Sequence, residues 1–318
     1  MELNLPVLDQ LTSCRNLLIA GMGGGFDVFC GLPIFFELRR RGQTVHLANF
    51  SFSNIQNFHG GIRLSESLVG VTADTSGQSL YFPELYLARW FQDARQESVP
   101  IWCFHKTGAR PLLRNYQLLI EHLAVDGVLL VDGGVDSLVR GDEAETGSLI
   151  EDATSLFAVS ELKDLKARLL VCLELGAEGH LAYGQVLENI AGLSSAGGFL
   201  GACALTAQMA VYRAYEAAVL AVQAREFQDP SVINSSIISA VQGHFGDYHL
   251  TEKTRGSSLS ISPLMSLYWF FDLAAVCARN LFLGRLGETE TFIDALRVYA
   301  GFAGKTPRRR PTSIGLGI

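Results

Sequence analysis

Up to about residue 175 the chain alternates two textures: short apolar runs that stop at glycine or a polar residue, and longer stretches with helical spacing. That is the pattern of parallel strands joined by helical crossovers. Five runs read as strands: Asn16–Gly21, Thr44–Phe50, Pro100–Phe104, Gly127–Val131 and Arg168–Leu173. Several lack the apolar–polar alternation of a half-exposed strand, as expected where helices cover both faces of a sheet. Helices are predicted between them at Leu32–Arg41, Phe82–Glu97, Arg110–Leu123 and Leu149–Lys163. An S-x-x-E capping box of Ser148 and Glu151 opens the last of these.

Beyond residue 180 the texture becomes Ala-rich and helical, over Gly184–Leu193, Gly197–Phe227, Ser231–Gly243, the apolar run Leu264–Leu283, and Thr289–Tyr299. Alanines such as Ala202, Ala204, Ala210 and Ala218 permit close helix approach, so this half is expected to pack against the sheet. No Pro/Ser-rich linker divides the chain. The expectation is therefore a single α/β domain over residues 1–304. A three-layer parallel sheet occupies about 14–180, an Ala-rich helical second half 181–304, and a loose basic tail containing KTPRRRP follows at 305–318.

Composition narrows the partners. With 48% hydrophobic and 18% charged residues and a mean hydropathy of +0.23, the chain is not disordered, and 318 residues suffice for a large core. The net charge of −7 repels phosphate backbones and anionic lipid, so nucleic acid is not an expected partner. Six cysteines are scattered singly with no C-x-x-C pair, which reads as reduced thiols in a cytoplasmic protein. The opening MELNLPVLDQ lacks the basic and apolar regions of a signal peptide. Leu264–Leu283 matches a bilayer in length, but Asp272 and Arg279 interrupt it. It reads as a core helix or a homo-oligomer interface, with no membrane involved.

In an open parallel sheet, ligands bind beyond the carboxyl ends of the strands, where the strand order reverses. The first strand leads into GMGGGFDVFCGLP, where the backbone N–H groups of Gly23, Gly24 and Gly25 can approach a phosphate or carboxylate. The dinucleotide fingerprint fails: Gly21 and Gly23 have the right spacing, but Phe26 holds the third position. The second strand ends at Asn49 and Ser51, where an NAD site prefers an acid. Nicotinamide chemistry is disfavoured accordingly. Asp27, inside the turn, is suited to hold a metal, bind hydroxyls or cap the following helix.

The fourth strand carries VLLVDGGVDSLVRGDEAETGSLIED. Asp132 and Asp136, separated by the small Gly133 and Gly134, can chelate a divalent metal ion or bind two ribose hydroxyls. Glu145, Glu151 and Asp152 read as solvated or helix-capping acids. Other strand ends contribute His105 with Lys106, and Glu174, Glu178 and His180; histidines beside carboxylates suit general acid–base work. The segment GHFGDYHLTEKTRGSS groups His244, Asp247, His249, Glu252 and Arg255 as a candidate lid. No G-x-S-x-G elbow or Walker loop is present.

Taken together, GMGGGFDVFCGLP, HLANFSF, VDGGVDSLVRGDE with TGSLIEDATS, GGFLG, GHFGDYH and PLMSLYWFFDL resemble domain-of-unknown-function family 1152, from about residue 16 to 283. The resemblance implies a Rossmann-like first half and brings no assigned reaction. The residues predict an enzyme acting on a small nucleotide-like, phosphorylated or ribosylated metabolite, by hydrolysis or group transfer. Asp27, His105, Asp132 and His180 are its candidate catalytic groups. Gly23, Gly24, Gly25, Asn49, Gly133, Gly134 and Asp136 are its candidate ligand contacts. The alternatives are a non-catalytic ligand-sensing or assembly protein and, with a degenerate fingerprint, an NAD-dependent oxidoreductase. All of this requires the turn after the first strand and the turn after the fourth to face one cavity.

Overall fold

The opening strand shows how the molecule is layered. Leu18 and Ala20 face one core while Leu17 and Ile19 face another, all fully buried, so both sides of the strand are covered. The computed structural model describes residues 6–77, 80–144, 149–176 and 183–310.

In chain order the first half runs α1 (Pro6–Ser13), β1 (Asn16–Gly21), α2 (Asp27–Cys30), α3 (Leu32–Arg40), β2 (Thr44–Phe50), β3 (Phe58–His59), β4 (Ile62–Ser65) and β5 (Leu68–Val71). It continues with β6 (Ser76–Gly77), α4 (Pro83–Arg95), β7 (Ile101–Phe104), α5 (Ala109–Leu123), β8 (Gly127–Asp132), α6 (Leu149–Ser160) and β9 (Ala167–Cys172). The second half adds α7 (Tyr183–Ser195), β10 (Phe199–Ala204), α8 (Ala210–Gln223), α9 (Val232–Val241), β11 (Leu267–Asp272), α10 (Leu273–Arg279) and α11 (Phe292–Ala303).

Nine strands form one sheet in the order β10-β11-β9-β8-β1-β2-β7-β5-β4, and β3 pairs with β6 separately. The central five, β7, β2, β1, β8 and β9, are parallel. Antiparallel strands extend the sheet on each side, β5 and β4 beyond β7, and β11 and β10 beyond β9. Counted along the chain, the parallel strands lie 3-2-1-4-5, the order of a doubly wound, Rossmann-like sheet. The chain leaves β1 towards β2 on one side and returns to β8 on the other, so the crossover point lies between β1 and β8. Helices α5, α6, α7, α10 and α11 cover one face; α1 to α4, α8 and α9 cover the other.

Two expectations for the second half are corrected. The stretch Gly197–Phe227 is not one helix: β10 takes its start and α8 begins only at Ala210, so Ala202 and Ala204 sit in an edge strand. Leu264–Leu283 is not a helix either. Its LYWFFD segment is β11, lying between β10 and β9, and Asp272 then caps α10 by accepting from Ala275 N at 2.8 Å. A short continuous apolar run has no periodicity to separate buried strand from buried helix, and aromatic enrichment favours the strand. Of the run expected as a core or interface helix, Leu267–Asp272 is thus a strand of the sheet and Leu273–Arg279 alone forms an α-helix, α10. Among the described residues, no helix is long and apolar enough to cross a membrane. All six cysteines are free.

The tail is not loose where it is described. Arg309 binds Glu143 at 3.0 Å, Glu188 at 2.7 Å and the Asn189 side-chain oxygen at 3.0 Å, while Arg308 donates to the carbonyls of Gly141 and Glu143. Glu143 is 1% exposed and also accepts from the N–H groups of Arg140 and Gly141 and from Asn189 Nδ2. Burial alone would push this carboxyl up; the donors outweigh it and hold the group below its ordinary value. Removing Arg309 by Arg309→Ala is expected to cost about 1–3 kcal/mol in urea unfolding at neutral pH. Because the folded-state value lies below the unfolded one, near about 4.3, the Glu143 contribution is complete above that value. It disappears as pH falls through the folded value, so Glu143→Gln flattens the acid limb of the stability profile. An Arg309→Ala protein as stable as wild type would show that the tail is not held.

Candidate functional site

Beyond Gly21 the chain keeps its link to β8 through Met22 N, which donates to Val131 O at 3.0 Å. It then turns through Gly23, Gly24 and Gly25. Gly24 and Gly25 have φ of 92° and 52°. A Cβ on Gly24 would lie 2.2 Å from the Phe52 ring, so this position requires glycine for conformation and for space. Asn49 fastens the turn from behind: its Nδ2 donates to Gly25 O at 3.0 Å and to Glu84 Oε1 at 2.8 Å. Its Oδ1 occupies the space a side chain at Gly21 would need. Asn49 is fully buried and acts on the turn itself. Glu84, which the sequence did not single out, is equally buried, and burial pushes its carboxyl up.

Asp27 opens α2 and its Oδ2 accepts from Gly23 N at 2.7 Å, closing the turn. Asp132 ends β8 and accepts from Gly134 N at 2.7 Å, from Ser137 N at 3.0 Å and from Ser137 Oγ. Gly133 follows Asp132 and faces Asp27: a Cβ there would fall 2.8 Å from Asp27 Oδ1 and 3.3 Å from Ile233 on α9. From the opposite face of the sheet α6 delivers Asp152, whose Oδ1 is 3.3 Å from where a Gly23 Cβ would stand.

One carboxylate oxygen each from Asp27, Asp132 and Asp152 lies within 4.8 Å of the other two. These residues are 9%, 2% and 1% exposed. Asp136, also buried, shares a hydrogen bond with Asp152. Burial and then the charges of Asp136, Asp132 and Asp27 push the Asp152 carboxyl well up. Burial also raises Asp132, against the pull of its Ser137 and Gly134 donors. Asp152 Oδ1 has no hydrogen-bond partner. At the rim, Phe52 is 49% exposed, and Lys106 Nζ sits 4.6 Å from its ring centre, 3.9 Å from that of Phe292 and 2.8 Å from Glu151 Oε1. Gly23 is only half-buried.

The two turns therefore meet, bringing together Gly23, Gly24, Gly25, Asp27, Asp132, Gly133, Gly134 and Asp136. His105 stands apart from the carboxylates, two strands from β1 at the end of β7. Its backbone N donates to Ser67 O at 2.9 Å, its Nδ1 is buried without a partner, and burial keeps its imidazole below the ordinary value. His180, with Glu145, Ser148 and Glu178, lies outside the described residues. Glu174 is buried, with a left-handed φ of 57°. In the segment after α9, His244 stacks on Tyr248 and His249 binds Thr254 Oγ1 at 2.8 Å; neither belongs to the carboxylate group. An apolar cavity of about 460 Å³ lies elsewhere, lined by Leu8, Leu11, Ile34, Met209 and Phe270 among others.

Asp152 is the residue that sequence reasoning placed in solvent and the structure buries. A signal existed: on α6 it lies three residues after Leu149 and four before Leu156, along the apolar stripe rather than opposite it.

A family model described as a protein of unknown function, DUF1152, matches residues 18–306. The chain belongs to the DUF1152 family. No curated protein and no solved structure matches it. The matched DUF1152 region contains every carboxylate of the cluster, whereas Arg308 and Arg309 fall beyond it. For this DUF1152 chain the glycine turn gives a direct test. Gly24→Ala is expected to cost about 1–3 kcal/mol through left-handed strain, plus the clash with Phe52. In a Phe52→Ala background the clash is gone and the cost falls, so the double-mutant cycle from urea unfolding is non-additive. Additivity would place the Phe52 ring away from Gly24.

Proposed function

We propose that this DUF1152 protein is an enzyme that binds a small ribosylated or phosphorylated, nucleotide-like metabolite at the β1–β8 crossover and hydrolyses it or transfers one of its groups. The observation that carries the reading is the convergence of Asp27 and Asp132, from turns a hundred residues apart in the chain, within 4.8 Å at the crossover point of the sheet. Both carboxylates are pinned by backbone N–H donors, which fix where their oxygens stand relative to one another. The rim supplies what a nucleotide-like ligand needs elsewhere, an exposed ring at Phe52 and a cation at Lys106.

Hydride transfer fits less well. The Gly23 N–H that a dinucleotide turn would offer to a pyrophosphate is engaged by Asp27, and the end of β2 presents the buried Asn49 rather than an acid. A cytoplasmic setting is supported by six cysteines that are all free. A ligand-sensing protein without turnover would use the same pocket and differ only in leaving its ligand intact.

A thermal-shift screen of ribonucleosides, nucleotides and sugar phosphates on wild type and Asp132→Ala tests the site. A ligand at a hundredfold its Kd stabilises the folded state by about 2.7 kcal/mol. The expected outcome is a shift in wild type, absent in Asp132→Ala relative to that variant's own melting point, and turnover of the same ligand followed by NMR. No shift from any of these classes, or equal shifts in both proteins, contradicts the proposal. A shift without turnover favours the sensing alternative.

A further inference from the structure

We infer that Asp27, Asp132 and Asp152 form a binding site for one divalent cation of the Mg²⁺, Mn²⁺ or Ca²⁺ class. The inference goes beyond the proposed reaction, because such an ion would be held whether or not a substrate is turned over.

Geometry comes first. Hard divalent ions take oxygen ligands at about 2.0–2.1 Å for Mg²⁺ and about 2.3–2.6 Å for Ca²⁺, so ligands on opposite sides of one ion stand about 4.0 to 5.2 Å apart, and adjacent ones closer. Oxygens from the three aspartates all lie within 4.8 Å of one another, so one ion among them can be shared by all three. Two of the ligands are pre-set. Gly23 N fixes Asp27, and Gly134 N with Ser137 fixes Asp132, the kind of outer contact that orients a metal-binding carboxylate. Room is kept by Gly23 and Gly133, where a Cβ would come within 2.5 Å and 2.8 Å of Asp27 oxygens.

The independent observation is Asp152. Its side chain is 1% exposed, its Oδ1 points into this group, and that atom has no hydrogen-bond partner. Asp152 also shares a hydrogen bond with Asp136, yet its Oδ1 stays without a donor, and a buried carboxyl oxygen left so is costly. A cation among the three carboxylates satisfies it. The ligand set is all oxygen, without imidazole or thiolate, which selects Mg²⁺, Mn²⁺ or Ca²⁺ over Zn²⁺ or Cu²⁺. Three protein ligands leave coordination positions for water or for ligand oxygens. An ion here would also let a phosphate approach a pocket whose own side chains are anionic.

The test is a Mn²⁺ titration of the full chain after treatment with EDTA, with free Mn²⁺ read by EPR and melting points recorded in parallel. Wild type, Asp152→Asn and Asp27→Asn are compared with no substrate present, so the result is separate from that of the ligand screen. Wild type is expected to bind a single Mn²⁺ per chain and to melt higher with it, with Mg²⁺ or Ca²⁺ competing. Each variant should lose affinity by about tenfold or more. In EDTA, Asp152→Asn should melt no lower than wild type, since it removes one of several crowded carboxylates; this shows the variant is folded. No Mn²⁺ bound by folded wild type at millimolar concentration overturns the inference, as does affinity unchanged in both variants.

Discussion

Like charges crowded away from water are the constraint around which this structure is arranged. Two unit charges at 4 Å repel by about 4 kcal/mol at an effective dielectric of 20, comparable with the net stability of a whole domain, about 5–15 kcal/mol. Oxygens of Asp27, Asp132 and Asp152 lie within 4.8 Å of one another with Asp136 beside them, and the cost shows in the carboxyls of Asp132 and Asp152, raised above their ordinary values. Their neighbours answer the cost piece by piece. Backbone N–H groups of Gly23, Gly134 and Ser137 point at two of the carboxylates. Glycines at positions 23 and 133 let the turns approach so closely. Helices α6 and α9 reach the two turns from opposite faces of the sheet, through Asp152 and Ile233.

This arrangement inverts the usual electrostatics of a glycine turn in a doubly wound sheet. In a dinucleotide site the turn's N–H groups and the following helix face the ligand's phosphates. Here the first of those N–H groups is spent on Asp27, and the crossover point presents negative charge. Under the proposed reading, the same topology serves hydroxyls or a positive ion rather than a bare pyrophosphate. Topology decided where the site lies, and the side chains decided its sign.

The parallel core was legible because its strands are short apolar runs ending in glycine or acid, each followed by a helix with its own stripe. β1 and β2 keep the bounds read from the sequence, and β7, β8 and β9 differ by a residue or so at their ends. The antiparallel additions were not legible: β11 is a continuous aromatic run, and β10 is small and Ala-rich, so neither carries a period. Among site residues, the meeting of Asp27 and Asp132 was expected because both turns follow the carboxyl ends of parallel strands. Asp152 did not, because an acid near a helix start usually caps it. Arg309 was read as part of a free basic end because its partners, Glu143 and Glu188, lie over a hundred residues earlier.

The most direct measurement is an anomalous difference map from crystals grown with Mn²⁺. The account predicts a peak within coordination distance of oxygens from Asp27, Asp132 and Asp152, with water or ligand completing the shell. Carboxylates paired through shared protons at that position, with any ordered Mn²⁺ lying elsewhere, would contradict it.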